Sequence, residues 1–192
     1  MQKDRVIKEN NVYFDIFDNA KDYLEKSLFF IEKSIEDPKY WKWAAISLHG
    51  ALYGFLIAAL EVPDSPGAIN STKKGNRLIG FDTALKRLQK PDYNRVYDFI
   101  KPLELTKKQL DSIKIVKNRL RDPFIHFLPQ PWIIDFSGIA NIAADVIAVI
   151  KHLMTSDYIF LSSNRKIKNV RHLCNRGLRI LKSHPLYMAS DI

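Results

Sequence analysis

Apolar residues recur three or four apart between about Tyr13 and Glu36, at Phe17, Ala20, Leu24, Leu28, Ile31 and Ile35. Asp15, Asp18, Asp22, Glu25 and Glu32 fall mostly between them, so the spacing predicts an amphipathic helix with one buried stripe. Asp37-Pro38 then predicts a stop and a fresh start, with Asp37 as N-cap and Pro38 at the first helical position. The segment from about Pro38 to Glu61 is apolar nearly all round, the pattern of a helix in the middle of a bundle. Within it, Ala44–Leu60 has 17 residues and no formal charge, the short end of a membrane span. Ser47, His49, Gly50 and Gly54 interrupt that run and favour a buried core helix instead. Gly50 and Gly54 share a face and would let another backbone come close.

The composition of residues 62–76 predicts a loop. Short helices are expected near Phe81–Gln89 and Asp92–Ile100, separated by Pro91. A longer helix starts with Thr106 as N-cap, buries Leu110, Ile113, Val116 and Leu120, and meets Asp122-Pro123, where a kink or restart is expected. Ser137 is expected to cap a helix from about Gly138 to Met154. Tyr158–Leu161 reads as a short strand or a turn. The last helix, about Asn164 to Lys182, buries Ile167, Val170, Cys174, Leu178 and Leu181. No strand alternation is strong enough to build a sheet. The predicted class is all-α: a four-helix-bundle core with extra short helices and a basic C-terminal helix. One domain spans residues 1–192, with its core at about 10–155 and the basic helical extension at about 160–185.

A chain of 192 residues can bury a core without disulfides or a structural metal. Its 46% hydrophobic and 27% charged residues exclude a wholly disordered protein. The single cysteine, Cys174, excludes an intrachain disulfide and a cysteine-built zinc site. The charge changes the picture more. The net +9 is concentrated in residues 73–121, which carry +9, and 151–192, which carry +6; residues 1–72 and 122–150 each carry −3. Two basic blocks flanking an acidic, apolar one favour an anionic partner, nucleic acid before a membrane surface. The mixed charge of Met1-Gln-Lys-Asp-Arg-Val-Ile-Lys-Glu is unlike a secretory leader. A cytoplasmic protein with no membrane partner is expected.

Several chemistries lack their residues. Lys73-Lys-Gly-Asn is no P-loop, and there is no glycine-rich dinucleotide fingerprint or nucleophile-elbow serine. His49, His126, His152, His172 and His184 show no metal-ligand spacing, so neither a metal nor a cofactor is expected. His49 reads as a core histidine bonded to backbone or water, and His184 as part of a frayed end. His126 differs in its company: Arg121-Asp122-Pro123-Phe124-Ile125-His126. Asp122 and His126 are four apart and neighbours on a helix, so the carboxylate could orient the imidazole. Arg121 and His126 are five apart, roughly 140° around the axis. A kink at Pro123 or a second chain on a two-fold axis would bring them together. Arginine can clamp a phosphate and histidine can move protons, and in RNA the 2′-OH supplies the nucleophile. The plainer alternative is a helix start capped by Asp122, with Arg121 paired on the surface.

Arg121-Asp122-Pro123-Phe124-Ile125-His126 resembles the signature of the HEPN superfamily (higher eukaryotes and prokaryotes nucleotide-binding). That signature is an arginine, then Asn, Asp or His, then a histidine a few residues on, late in a four-helix bundle. The resemblance covers about residues 10–155 in architecture and six residues in motif. It implies a metal-independent RNA endonuclease, with a composite active site in a homodimer built from Arg121 and His126 of each chain. It also implies a role in toxin–antitoxin, antiviral or RNA-processing systems, with an antitoxin or regulatory protein as partner. Pro123 inside the motif departs from the pattern. So does Leu128, which stands where the toxin subgroup has a modifiable tyrosine. Asp122 is expected to orient His126, and Lys117, Arg119, Arg165, Lys168 and Arg171 to hold the RNA backbone. Two alternatives remain: a non-catalytic helical binding module of the same type, and a basic nucleic-acid-binding protein acting through residues 164–182.

Overall fold

The long helices of the computed structural model bury most of the apolar positions expected of them, with Leu110, Ile142 and Leu178 half-buried. The structure describes residues 12–62, 65–72, 75–90, 101–127, 129, 131–155 and 158–188. It is 65% helical and 5% strand, in line with the all-α expectation. Helix α1 (Ile16–Lys33) is capped by Asp15, whose carboxylate accepts the Asp18 N–H at 2.6 Å. Phe17, Ala20, Leu24, Leu28 and Ile31 are buried. Ile35 lies past the C-cap and is exposed, so the stripe ends a turn earlier than its spacing suggests.

Asp37 acts one turn ahead of α2 (Tyr40–Leu60) rather than as its N-cap. Its carboxylate accepts the Lys39 N–H at 2.9 Å, and three successive i→i+3 bonds from Tyr40, Trp41 and Lys42 lead into the helix. Such a tight entry turn is common at helix ends. Among the described residues α2 is the one helix long and apolar enough to cross a membrane, and 67% of that window is buried inside the fold. It packs against α1, α3 (Phe81–Leu88), α6 (Ile139–Leu153) and the π-helical stretch Ile115–Arg121.

The glycines of α2 set how closely α1 approaches. A Cβ on Gly54 would sit 2.6 Å from Ala20 Cβ and 3.2 Å from its Cα, whereas one on Gly50 would meet the Tyr23 ring at 2.7 Å. Alanine in a helix is normally worth about 1 kcal/mol over glycine. At Gly54 the obstacle is backbone, so the helices must part, at a cost of about 1–3 kcal/mol. Tyr23 is 40% exposed and can swing aside. Gly54→Ala is therefore expected to lower the thermal midpoint, and Gly50→Ala to leave it level or slightly raised. Equal effects in circular-dichroism melts would refute this account.

The expected loop at 62–76 holds two antiparallel ladders, β1 (Glu61–Val62) with β2 (Ser65–Pro66), and β3 (Ile69–Thr72) with β4 (Gly75–Leu78). Strands of two and four residues are too short to show a period in sequence. The Tyr53 hydroxyl donates to the Ile79 carbonyl, and Arg87 donates to the Gly67 carbonyl and to Asn70 Oδ1, tying the hairpins to α2 and α3. The helix expected at Asp92–Ile100 lies outside the described residues. Ser137 does not cap α6. Its N–H and hydroxyl both donate to Asp135 Oδ1, at 2.8 and 2.7 Å, and Gly138 leads into α6 at φ +70°. Tyr158–Leu161 is a turn and irregular chain rather than a strand.

Helix α7 (Asn164–Lys182) is capped by Ser163 and packs on α6 and α1. Its Ile167, Val170, Cys174 and Leu181 belong to the same buried cluster as α1, α2 and α6. The basic C-terminal helix is thus a wall of the core, not an extension beyond it. His184 is likewise no frayed end. It is 4% exposed, its Nδ1 accepts the Leu186 N–H at 3.1 Å, and its Nε2 therefore donates to Ser34 Oγ at 3.1 Å.

Candidate functional site

Thr106 opens α4 (Lys107–Lys114) with a capping box: its hydroxyl accepts the Gln109 N–H, and the Gln109 amide oxygen accepts the Thr106 N–H. The expected break at Asp122-Pro123 takes the form of a change of helix type, with α-helical bonding restarting at Asp122. The helix widens into the π stretch Ile115–Arg121 and closes with α5 (Asp122–Ile125). Pro123 has no N–H to give and its ring would strike the carbonyl four residues back. Shifting to i→i+5 bonding relieves both, and the Asp122 N–H accordingly donates to the Lys117 carbonyl. Widened turns of this kind are frequent at functional sites.

Arg121 and Asp122 sit at the join. Arg121 Nη1 donates to Asp122 Oδ1 at 2.7 Å, and the two side chains are 28% and 29% exposed. The expectation that Asp122 orients His126 is therefore corrected: its carboxylate holds Arg121. What Asp122 gives His126 is a backbone bond, the His126 N–H donating to the Asp122 carbonyl at 3.0 Å. His126 is the C-cap, with its ring exposed and no side-chain hydrogen bond among the described residues. Phe127 follows at φ +49°, a left-handed end usually given to glycine or asparagine. A phenylalanine held there carries backbone strain of the kind that clusters at functional sites.

Arg121 lines a cleft of about 370 Å³ between α1 and α2, with Ile125, His49, Tyr53 and Tyr23, and His126 is not in its lining. One chain therefore does not bring Arg121 and His126 to one cleft. His49 lies in the core as its helix suggests, but the expected bond to backbone or water is not made at its Nε2 among the described residues. It is 7% exposed and stacks 4.6 Å from the Phe81 ring. Burial first, then the charge of Arg121, pushes its pKa down to about 4; Lys117 adds to this, and Asp122 and Asp82 oppose it. Two ion pairs, Arg121–Asp122 and Lys117–Asp82 at 3.1 Å, thus bear on this imidazole. A lone histidine in an otherwise apolar helix was the available signal, since a buried polar group is the informative exception.

The other expected RNA-binding residues are dispersed. Arg119 lines a different cleft, of about 250 Å³, formed with Trp132 and Ile139. Arg165, Lys168 and Arg171 are exposed on α7, and the Arg171 guanidinium donates to the Met154 carbonyl at 3.2 Å. Helix α1 separates them from Arg121: its Ile16, Asn19 and Tyr23 line the Arg121 cleft, while Asp15, Asp18 and Glu32 reach α7. Lys166 binds Asp15 and Asp18 at 2.8 and 2.7 Å, and Arg176 binds Glu32 at 2.9 Å. The basic face of α7, which has no acids of its own, is in part neutralised by α1. Burial pushes the Cys174 thiol up to about 12, so it is no nucleophile. Among the described residues no cluster of three His, Cys, Asp or Glu side chains is placed to hold a metal.

Compared with known proteins, the chain matches no family model, no curated protein and no solved structure.

Proposed function

We propose that this chain is a metal-independent RNA endonuclease of HEPN type, a four-helix-bundle protein that acts in the cytoplasm as a homodimer with a composite active site. The observation that carries the reading is the placement of Arg121 and His126. Both stand at the end of one helix, the first part-exposed on a cleft and the second open to solvent. In the proposed reaction an RNA 2′-OH attacks the adjacent phosphorus while His126 accepts its proton. The new 2′-O–P bond forms as the P–O5′ bond breaks, leaving a 2′,3′-cyclic phosphate and a 5′-hydroxyl. The leaving oxygen takes its proton from the second protomer's copy of the same histidine. Arg121 neutralises the developing charge on the phosphate, and Asp122 positions Arg121.

A second reading, a non-catalytic binding module, is favoured by one observation. Arg121 is already engaged by Asp122 at 2.7 Å, so phosphate must compete for it. Incubating the protein with RNA in EDTA separates the two. The endonuclease reading expects cleavage with 2′,3′-cyclic phosphate ends and a specific activity that falls on dilution as the dimer dissociates. Intact RNA throughout favours the module. The third alternative, binding through residues 164–182 alone, is best tested by point substitutions of Arg165, Lys168 and Arg171. Deleting α7 would remove a wall of the core.

A further inference from the structure

A groove of about 590 Å³ runs between the entrance of α2 and the chain after α5, walled by Lys39, Lys42, Trp43, Phe124, Trp132 and Phe136. Core packing does not account for it. Trp43 is 47% and Trp132 40% exposed, although apolar contacts hold them in place. The Phe124 and Trp132 rings lie 5.9 Å apart. Lys42 Nζ stands 4.6 Å from the Trp43 ring centre and 5.6 Å from that of Phe124. Neither Lys39 nor Lys42 has a carboxylate within ion-pair distance among the described residues. Trp132 and Ile134 also wall the adjoining cleft that holds Arg119, so the aromatic groove continues to a third cation. Asp135 shares that cleft with Arg119, and its bonds from the N–H and hydroxyl of Ser137 hold its carboxylate ionised, so Lys39 and Lys42 are the cations without a facing acid.

We infer that this groove binds single-stranded RNA, with bases stacked on Trp43 and Trp132 and phosphates held by Lys39, Lys42 and Arg119. The inference rests on the reading that the substrate is RNA, and it adds how the strand is held. Flat faces beside uncompensated cations suit a strand whose bases are free to stack and whose backbone is anionic. An apolar protein surface would leave Lys39 and Lys42 unanswered. Phe124 ties the groove wall to the helix that carries Arg121 and His126, although neither of those two residues lines the groove.

The test uses the full chain and a labelled adenosine oligomer of about 12 nucleotides. Every 2′-OH is methylated, so binding is read without cleavage. Anisotropy should show the single strand bound more tightly than a duplex of the same length. Trp43→Ala with Trp132→Ala should weaken binding about tenfold or more, as stacking losses do, while Phe at both positions retains most of it. Lys42→Gln should flatten the dependence of log affinity on log salt by about 0.7, and it also decides the matter if the alanine variant does not fold. Unchanged affinity and salt slope would overturn the inference. So would equal affinity for strand and duplex, or a dimer that the tryptophan changes split while binding persists, which would make the groove an interface between copies. Tryptophan-dependent binding without RNA cleavage would keep the groove and remove the endonuclease reading. Cleavage with tryptophan-independent binding would do the reverse.

Discussion

Alanine at position 126 is expected to slow RNA cleavage by roughly 10²–10⁴-fold, the range of a lost general acid–base group, with the melting temperature unchanged. The second half of that expectation comes from the helix end. The His126 ring is exposed and has no side-chain partner among the described residues, so truncating it opens no cavity and strands no buried group. Arg121→Ala should abolish cleavage to a similar degree, but it is not structurally silent. It leaves the Asp122 carboxylate without its 2.7 Å partner and removes a positive charge that holds the His49 pKa down. Arg121→Lys keeps the charge but not the planar fork that grips phosphate, so part of the activity should return. Initial rates with labelled RNA in EDTA, beside melts of each variant, check all three. Parent-level cleavage by His126→Ala would remove the named site.

Acid should weaken the fold well before the carboxylates titrate. The His49 imidazole is held neutral with a pKa of about 4, against 6.5 for the unfolded side chain. Between those values the unfolded chain binds the extra proton, so stability falls as pH drops. The His49 contribution is complete above 6.5 and gone below about 4, a change of roughly 3 kcal/mol. At 7% exposure little solvent screens it. His184, also pushed down by burial, acts in the same direction. Asp15, whose pKa is lowered chiefly by its bond to Lys166, gives up its contribution only below 3.8. Urea midpoints from pH 7 to pH 4.5 should therefore fall steeply for the parent and less steeply for His49→Leu. Parallel lines would mean that His49 is not the group that titrates.

The parts of the fold visible in the sequence are those governed by local rules. Three-to-four spacing located α1 and α7, and the Thr106 hydroxyl with Gln109 closed the cap that its position implied. What stayed hidden depends on neighbours distant in sequence. The acids facing Lys166 and Arg176 belong to α1, about 150 residues earlier. Asp37 and Ser137 are capping types, but each found a closer task in its own turn. At the site, Arg121 and His126 stood out because their residue types suit phosphate and proton transfer. Helical spacing sets Asp122 beside His126 and not beside the adjacent Arg121, whereas the long guanidinium arm reaches round to the carboxylate. Periodicity places His49 in a core helix, and only packing shows which charges lie beside it.

The widened turn at Ile115–Arg121 amounts to a phase offset between two halves of one rod. Rewound as an ordinary α-helix, everything from Asp122 onward would rotate by about 100° and shift about 1.5 Å along the axis. Phe124 would then leave Trp132, and Arg121 would leave the His49 cleft. Pro123 pins the far edge of the offset, because it has no N–H with which to rewind. The azimuth at which this chain presents its histidine is therefore set in part by Pro123, three residues before it. Deleting one residue within the stretch, such as Asn118, would let it rewind as an α-helix while Asp122 onward keeps its phase.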